Sequence, residues 1–178
     1  MLTQTNCPTC LWCGGTLISP RHVLSAGHCL PEMTYKKVYV GVHSISPIDG
    51  IPYEWCHISR HPDYNYPDND FMIIHLKESV QLNHKVGIAC LPSDDDGMDG
   101  DFFAEKNLVV SGWGNLEYEG HGPSKLHSVT VPGISKSECE NKYCTKGDPC
   151  ITDNMLCAGD VFNGGVDACQ GDSGGNLI

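Results

Sequence analysis

Residues 167–178 read DACQGDSGGNLI and set Ser173 in the sequence Gly-Asp-Ser-Gly-Gly. A neutral serine hydroxyl is a weak nucleophile, so acyl transfer requires a base to take its proton, an acid to hold that base in one tautomer, and donors for the oxyanion. The segment LSAGHC offers His28 as the base, and DNDFMIIHL offers Asp70 at the head of an apolar run. Each residue alone is weak evidence, but the order His28, Asp70, Ser173 predicts nucleophilic catalysis.

Apolar residues occur in short runs that are typical of β-strands. The runs KKVYVGV, DFMIIHL, NLVVSGW and LHSVTVP are separated by turn clusters rich in Gly, Pro, Asn and Asp, without long helical periodicity. The sequence therefore predicts an all-β fold. The acidic segment CLPSDDDGMDGD is typical of a surface linker between two β units. We interpret Asp94, Asp95 and Asp96 within it as a solvated loop, with calcium binding as the alternative.

The composition limits the classes of function. A chain of 178 residues with 40% hydrophobic content is long enough to bury a core. The formal net charge of -11 and the lack of a basic run longer than Lys36-Lys37 argue against nucleic-acid binding. The negative charge would attract cationic partners. The sequence has no apolar run of the roughly 18 residues that a membrane span needs, and MLTQTNCPTCLWC lacks the features of a secretion signal.

The cysteine content points to an oxidising compartment. The sequence has 11 cysteines among its 178 residues, and the odd number leaves at least one thiol unpaired. Cys7, Cys10 and Cys13 could alternatively ligate zinc, but no second Cys/His cluster of suitable spacing follows them. Disulfide bonds are therefore the preferred interpretation, and neither a cofactor nor a metal is predicted.

Several motifs occur together in a fixed order: CGGTLISPRHVLSAGHC, HPDYN, DNDFMIIHL, CLP, SGWG, NMLCAG and DACQGDSGG. In this order and at these separations they resemble the chymotrypsin family of serine proteases, and more closely its trypsin-like branch. The resemblance covers most of the chain and implies two antiparallel β-barrels. Residues 1–92 would form an N-terminal barrel that carries His28 and Asp70. Residues 93–178 would form a C-terminal barrel, incomplete here, that carries Asp167 and Ser173.

The family's mechanism implies a role for each residue of the triad. His28 would act as general base and then as general acid, Asp70 would orient and stabilise its imidazolium, and Ser173 would attack the scissile carbonyl. The backbone N–H groups of Gly171 and Ser173 would form the oxyanion hole. Glycine suits position 171, because a side chain there would restrict the turn that points the N–H inward.

Two acidic residues near Ser173 have implied roles as well. Asp167 matches the position at the base of the primary specificity pocket, which implies cleavage after Lys or Arg; without the resemblance, NGGVDA would be an ordinary turn. Asp172 matches the acid that pairs with the ammonium of the mature N-terminus. Because no Ile-Val-Gly-Gly-like segment stands before CGGTLI, we expect Asp172 to be a partly buried charge without its partner. Such a charge costs several kcal/mol unless the loop rearranges and turns the Gly171 N–H away.

The resemblance also implies disulfide bonds. Cys13 would pair with Cys29 and brace the histidine loop, which is worth roughly 3 kcal/mol in the chain-entropy model. A second bond would join Cys139 to Cys157, and CTKGDPC looks like an insertion between them. Cys144 and Cys150 could form a bond within that insertion. Cys90 has Cys7 or Cys10 as its candidate partner, and the family partner of Cys169 lies beyond residue 178. Cys56 pairs with an upstream cysteine or stays free.

Two segments depart from the family pattern. Gly27 stands where the family usually has alanine, and we expect the loss of this small packing group to loosen His28. In VGVHSISPIDGIP, Val42 and Pro52 occupy positions where the family's calcium loop needs carboxylates. Asp49 alone cannot supply the roughly six or more oxygens that calcium prefers, so no calcium site is predicted.

The sequence thus predicts a secreted serine endopeptidase that cleaves proteins or peptides after Lys or Arg through an acyl-enzyme, and that protein protease inhibitors could bind. Family members continue beyond the position of Ile178 with a far pocket wall, further strands and a closing helix. We therefore expect the chain alone to have low or no activity, because a barrel that lacks strands exposes unpaired edges. The alternative is a non-catalytic, protease-like chain that acts as a binding partner.

Overall fold

A computed structural model describes residues 1–4, 7–32, 37–93, 101–144, 150–160, 164–165 and 167–178, and for residues 4, 7–10 and 31–32 it describes the backbone only. In this part of the chain the strands form two antiparallel sheets, one from each half of the sequence. The larger sheet has seven strands and the smaller has four.

The larger sheet is built from the N-terminal half. Its strands are β1 (Leu2–Gln4), β2 (Cys7–Cys13), β3 (Thr16–Ser19), β4 (His22–Ser25), β5 (Lys37–Val40), β6 (Ile51–Arg60) and β7 (Met72–Leu76). They lie in the order β2-β1-β5-β6-β7-β4-β3, and neighbours run antiparallel. A 3₁₀ helix, Gly27–Glu32, follows β4.

The core of this sheet follows from the period-two alternation of β7. Met72, Ile74 and Leu76 are completely buried, whereas His75 points to the opposite face and is only partly covered. Since β7 lies between β4 and β6, its buried side chains join one apolar cluster with Val23 of β4. Burial of this apolar surface is the main stabilising contribution in this half of the chain.

The smaller sheet consists of β8 (Asn107–Gly112), β9 (His127–Ile134), β10 (Cys157–Ala158) and β11 (Asn176–Leu177), in the order β10-β9-β8-β11. β8 pairs along its whole length with residues 127–132 of β9, and the last two residues of β9 pair with β10. A short α-helix, α1 (Lys136–Tyr143), lies between β9 and β10. It begins after Ser135, whose hydroxyl accepts a hydrogen bond from the Glu138 N–H.

The predicted all-β class is confirmed. The four apolar runs contain β5, β7, β8 and most of β9. The helix α1 was not predicted, because its eight residues carry no apolar periodicity. The only sequence signal for it is the pair Ser135 and Glu138, which has the spacing of a helix N-terminal capping box. The acidic segment with Asp94, Asp95 and Asp96 lies outside the described residues, so its interpretation and the domain boundary between residues 92 and 93 stay predictions.

Disulfide bonds join Cys13 to Cys29, Cys139 to Cys157, and Cys144 to Cys150. The first ties the end of β2 to the 3₁₀ helix, and the second ties α1 to β10. The bond to Cys29 leaves Cys13 without a thiolate, which removes it from the alternative zinc set. The thiols of Cys56, Cys90 and Cys169 are free, and the side chains of Cys7 and Cys10, the candidate partners of Cys90, lie outside the described part. None of the described helices is long and apolar enough to cross a bilayer.

Candidate active site

His28 and Asp70 form a close pair because the end of β4 lies beside the beginning of β7. His28 lies in the 3₁₀ helix after β4, Asp70 lies just before β7, and Ser25 of β4 pairs with Met72 of β7. The His28 Nδ1 lies 2.6 Å from Asp70 Oδ2, and the His28 backbone N–H donates to Asp70 Oδ1 at 2.8 Å. A carboxylate held on Nδ1 fixes the tautomer in which Nε2 carries the free lone pair of a base.

The pair is partly open to solvent and well supported from behind. The exposed fraction of the side chain is 34% for His28 and 19% for Asp70. One ring nitrogen of His28 lies within 4.8 Å of the sulfurs of Cys13 and Cys29, whose disulfide is buried. The Trp12 indole N–H donates to the Cys29 carbonyl at 3.1 Å. The residue that follows His28 is therefore restrained by both a disulfide and a hydrogen bond.

Gly27 fits closely against its neighbours. A Cβ at this position would lie 3.1 Å from Tyr64 Cδ2, 3.2 Å from Arg60 Cδ and 3.2 Å from Asp70 Oδ1. The Arg60 guanidinium stacks on the Tyr64 ring with 4.3 Å from Cζ to the centroid. Side chains of Arg60 and Tyr64 thus closely bound the space that an alanine methyl group would take, and the expectation that glycine loosens His28 stays a prediction.

The serine turn of the smaller sheet packs against the larger sheet next to His28. The Gly14 N–H donates to the Ser173 carbonyl at 2.8 Å, and the Ser25 hydroxyl donates to the Gly14 carbonyl at 2.8 Å. At Gly174 the φ angle is +74°, and a Cβ there would lie 2.2 Å from Ser25 Oγ and 2.8 Å from the Ala26 nitrogen. The turn thus approaches the residues that lead into His28, although no direct hydrogen bond between the Ser173 hydroxyl and the His28 ring is among the described contacts.

Asp172 is held by backbone amides. Its Oδ1 accepts from the Gly114 N–H at 2.7 Å, and its Oδ2 accepts from the Cys169 N–H at 3.0 Å. A Cβ at Gly114 would lie 2.4 Å from the Asp172 carboxyl carbon, so the contact requires glycine there. Two backbone N–H donors therefore stabilise the carboxylate, and the expectation that it lacks its ammonium partner stays a prediction. The role of Asp172 as partner of a mature N-terminus stays a prediction.

Gly171 has a φ of +100°, a conformation that favours glycine. A Cβ there would also lie 3.1 Å from Gly114 Cα and 3.2 Å from Leu11 Cδ2. Both the backbone conformation and the close neighbours therefore require glycine at this position. The contribution of the Gly171 and Ser173 N–H groups to an oxyanion hole stays a prediction.

Asp167 is exposed, and its Oδ1 accepts from the Ala168 N–H at 2.7 Å. It lines a cleft of about 180 Å³ together with Gly165, His127 and Asp172. A carboxylate at the edge of an open cleft can meet a cationic side chain. The assignment of Asp167 to substrate specificity stays a prediction.

Asp49 lies in a turn that its own carboxylate organises. Its Oδ1 accepts from the backbone N–H groups of His43 at 2.8 Å and Ser44 at 2.9 Å. These two hydrogen bonds, that from Ser44 first, lower the pKa of Asp49 below its ordinary value. The carboxylate therefore has a structural role, and the absence of a calcium site stays a prediction.

The structure reveals one site residue that the sequence reasoning missed. Asp68 Oδ1 accepts from the Thr152 hydroxyl at 3.0 Å and from the Asn154 side-chain amide at 3.3 Å. Asn69, with φ of +52°, donates its backbone N–H to the same oxygen at 2.9 Å. These hydrogen bonds, that from Thr152 first, lower the pKa of Asp68. The loop that carries Asp70 is thereby tied to the other half of the chain.

The fold and the site together define a class, namely a two-sheet β protein in which a histidine–aspartate pair of one sheet lies beside a serine turn of the other. The family described as Trypsin matches residues 3–178. The chain is 40% identical over 175 residues to the venom serine protease Bi-VSP of Bombus ignitus, covering 94% of this chain and 48% of the relative. It is 38% identical over 172 residues to cationic trypsin-3 of Rattus norvegicus, covering 94% of this chain and 64% of that one.

A solved structure shares the fold. Mouse neuropsin, described as a serine protease expressed in the limbic system, superposes with a TM-score of 0.80 at 32% identity, covering 96% of this chain and 73% of that one. The chain therefore belongs to the trypsin family of serine proteases. It spans between about half and two thirds of the length of the curated relatives named above.

Proposed function

We propose that this chain carries the catalytic residues of a serine endopeptidase. The observation that carries the proposal is the His28–Asp70 pair, with 2.6 Å between Nδ1 and Oδ2, beside the packed serine turn. The carboxylate holds Nδ1 as a donor, so Nε2 is the nitrogen that accepts the proton of an approaching hydroxyl.

The reaction that these groups support is acyl transfer in two stages. The Ser173 hydroxyl attacks the carbonyl carbon of the scissile peptide while His28 Nε2 takes its proton, and Asp70 stabilises the imidazolium. The N–H groups of Gly171 and Ser173 donate to the oxyanion. The C–N bond then breaks, the leaving amine takes the proton from His28, and Ser173 holds the acyl group. Water activated by His28 cleaves this ester and restores the serine.

We place Asp167 as the residue that selects Lys or Arg before the cleaved bond. Its exposed carboxylate at the edge of the cleft supports this assignment, and the formal net charge of -11 favours encounter with cationic substrates. Removal of the charge in an Asp167→Ser variant should reduce kcat/KM for Lys and Arg peptides much more than for peptides with a neutral residue at that position. An equal loss for both kinds of peptide would contradict the assignment.

Labelling with a fluorophosphonate probe tests the proposal directly, because the probe reacts covalently with an activated serine. The full chain should be labelled at Ser173, and the Ser173→Ala and His28→Ala variants should not. Absence of labelling on Ser173 in the folded chain under activating conditions would refute the proposal. A stable protein partner without any labelling or turnover would favour the non-catalytic binding role instead.

The proposed setting is extracellular, with proteins or peptides as substrates and protein protease inhibitors as further partners. The disulfides Cys13–Cys29, Cys139–Cys157 and Cys144–Cys150 support an oxidising compartment. We propose that the 178-residue chain by itself has low activity, and comparison of its labelling rate with that of a longer product containing it would test this.

A further inference from the structure

Asp68, in the loop between β6 and β7 that carries Asp70, accepts hydrogen bonds from both halves of the chain. Its Oδ1 lies 3.0 Å from the Thr152 hydroxyl and 3.3 Å from the Asn154 side-chain amide, and the Asn69 backbone N–H donates to the same oxygen at 2.9 Å. Three donors therefore meet at one carboxylate oxygen. We call this set the polar tie: Asp68, Asn69, Thr152 and Asn154.

Asn69 lies between Asp68 and Asp70 and has a left-handed φ of +52°. Asparagine is one of the few residues other than glycine that adopt this conformation. Its side-chain amide donates to the Asp63 carbonyl at 3.2 Å, and its Oδ1 accepts from the Asn154 amide at 3.4 Å. The conformation that turns the chain into Asp70 is therefore held by partners from both halves of the chain.

The donors from the other half belong to one braced turn. The Thr152 hydroxyl accepts the Asn154 backbone N–H at 3.3 Å, and the Met155 N–H donates to the Thr152 carbonyl at 3.2 Å. Cys157 follows this turn, and its disulfide joins β10 to α1. The turn is thus fixed within its own half, and its contact with Asp68 transmits that position to the loop.

The polar tie reaches the loop of Asp70 from the half of the chain that carries Ser173. Other hydrogen bonds between the halves reach different segments, such as the one from the Gly14 N–H to the Ser173 carbonyl at 2.8 Å. Consecutive Cα atoms lie about 3.8 Å apart, so the Cα atoms of Asp68 and Asp70 are at most about 7.6 Å apart. A shift of the contacting turn would therefore move Asp70 relative to His28.

The Asp70 carboxylate has little freedom to absorb such a shift. Both of its oxygens are bound to His28, one at 2.6 Å from Nδ1 and the other at 2.8 Å from the backbone nitrogen. A misplacement of about 1 Å can cost about 10²-fold in rate when it disturbs the alignment of reacting groups. Hydrogen bonds that fix the residues next to Asp70 therefore bear directly on this geometry.

We propose that Asp68 is a positioning residue of the serine endopeptidase proposed above, on which this inference rests. Through the polar tie it holds the Asp70 carboxylate against His28 Nδ1 and aligns that pair with the half of the chain that carries Ser173. In this role Asp68 touches no reacting group and acts through Asp70. The role requires an acceptor oxygen and not a negative charge, because all three partners of Oδ1 are neutral donors.

Three variants of the full chain test the proposal. Asp68→Ala removes the acceptor, Thr152→Val removes one donor from the other half, and Asp68→Asn keeps an acceptor oxygen without the charge. Labelling of Ser173 over a range of fluorophosphonate concentrations separates the maximal rate from the half-saturating concentration. We expect the maximal rate to fall about 10- to 100-fold in Asp68→Ala and less in Thr152→Val, with the half-saturating concentration unchanged. Asp68→Asn should retain the rate of the parent chain.

Proton NMR of the His28–Asp70 pair gives a readout that does not require turnover. A proton in a short, charge-assisted N–H···O hydrogen bond is strongly deshielded and resonates far downfield. The proton of the 2.6 Å contact between His28 Nδ1 and Asp70 Oδ2 should give such a resonance in the parent chain and in Asp68→Asn. The resonance should move upfield or broaden in Asp68→Ala.

Asp153→Ala is the matched control, because Asp153 lies in the same turn but its carboxylate pairs with Lys136. It should change neither readout. Unchanged readouts in folded Asp68→Ala, a loss of the same size in Asp153→Ala, or failure of Asp68→Asn to retain the rate and the resonance would each overturn the proposal. Thr152→Val carries the test if Asp68→Ala does not fold. Absence of labelling in the folded parent chain would refute the proposed function, and the resonance would still decide whether Asp68 positions the pair.

Discussion

Asp70 makes two hydrogen bonds to one residue, and both oxygens of its carboxylate are used. Oδ2 faces His28 Nδ1 and Oδ1 accepts the His28 backbone N–H. An isosteric substitution such as Asp70→Asn can keep the hydrogen bond from the His28 backbone N–H, but it changes the group that faces Nδ1. We therefore expect it to change the tautomer of the His28 ring and to leave the loop in position. This separates the chemical role of the residue from its structural role.

For Asp70→Asn we expect a fall of about 10⁴ in kcat with little change in stability, because an amide N–H beside Nδ1 forces the wrong tautomer. The rate of peptide hydrolysis, or of fluorophosphonate labelling, measures the effect. Asp63→Asn, at an exposed position of the same loop, is the matched control and should retain the rate. A comparable loss in both variants would show that the loop and not the tautomer is responsible.

The identity of these residues could be predicted from short motifs, because His28, Asp70 and Ser173 each stand in a distinctive local sequence. Their surroundings could not. The partners of the Asp172 carboxylate are backbone amides at Gly114 and Cys169, and backbone donors carry no side-chain signal. The contact of Asp68 with Thr152 spans 84 residues of sequence, so it depends on how the halves pack.

The disulfide between β2 and the 3₁₀ helix acts on an element rather than on a single side chain. Replacement of both Cys13 and Cys29 by alanine should lower the free energy of unfolding by roughly 3 kcal/mol in the chain-entropy model. It should also lower the labelling rate of Ser173, since His28 lies between its anchors. Urea denaturation and labelling of the same preparation measure both quantities.

The corresponding double replacement of Cys144 and Cys150 is the control for that experiment. This bond closes a separation of 6 residues, against 16 for Cys13 and Cys29, so the expected loss is smaller, about 2 kcal/mol. The labelling rate should not change. Equal losses of labelling in both variants would argue that general stability, and not restraint of the histidine loop, controls the site.

The loop between β6 and β7 should make stability sensitive to acid through Asp68. The folded state lowers the pKa of this carboxyl, so the unfolded state binds the proton more readily. The stabilisation is therefore complete above the unfolded pKa, near 3.9, and is lost as the pH falls through the lower folded value. Urea midpoints at pH 7 and near pH 3 should differ less in Asp68→Asn than in the parent chain. An unchanged difference would contradict this role.

At the scale of the whole molecule, the two halves meet through backbone atoms around glycines. Gly14 donates to the Ser173 carbonyl, and a Cβ at Gly14 would lie 2.8 Å from Gly175 Cα. Such an approach leaves no space for side chains. The family resemblance predicted both halves, but the close fit between them is visible only once the sheets are packed.

Gly174→Ala should impair this packing. It combines a left-handed φ of +74° with a Cβ overlap against Ser25, and the conformational cost of about 1–2 kcal/mol adds to an overpacking cost of about 1–3 kcal/mol. Gly164 has a similar φ of +65°, but the space around its Cβ position is open. Gly164→Ala should therefore lower the stability by the conformational cost alone. Calorimetric melting of both variants measures the difference, and equal destabilisation would show that the overlap is relieved.

The backbone contact between Gly14 and Ser173 also bears on when the proposed activity could arise. Ser173 lies in the half of the chain that forms the smaller sheet, and it reaches the residues next to His28 only where the two halves pack together. On the proposed roles of His28 and Ser173, a half-folded chain would hold at most one of the two in place. The proposed hydrolysis would therefore begin only after both halves have docked, and the contact would link the onset of reactivity to the completion of folding.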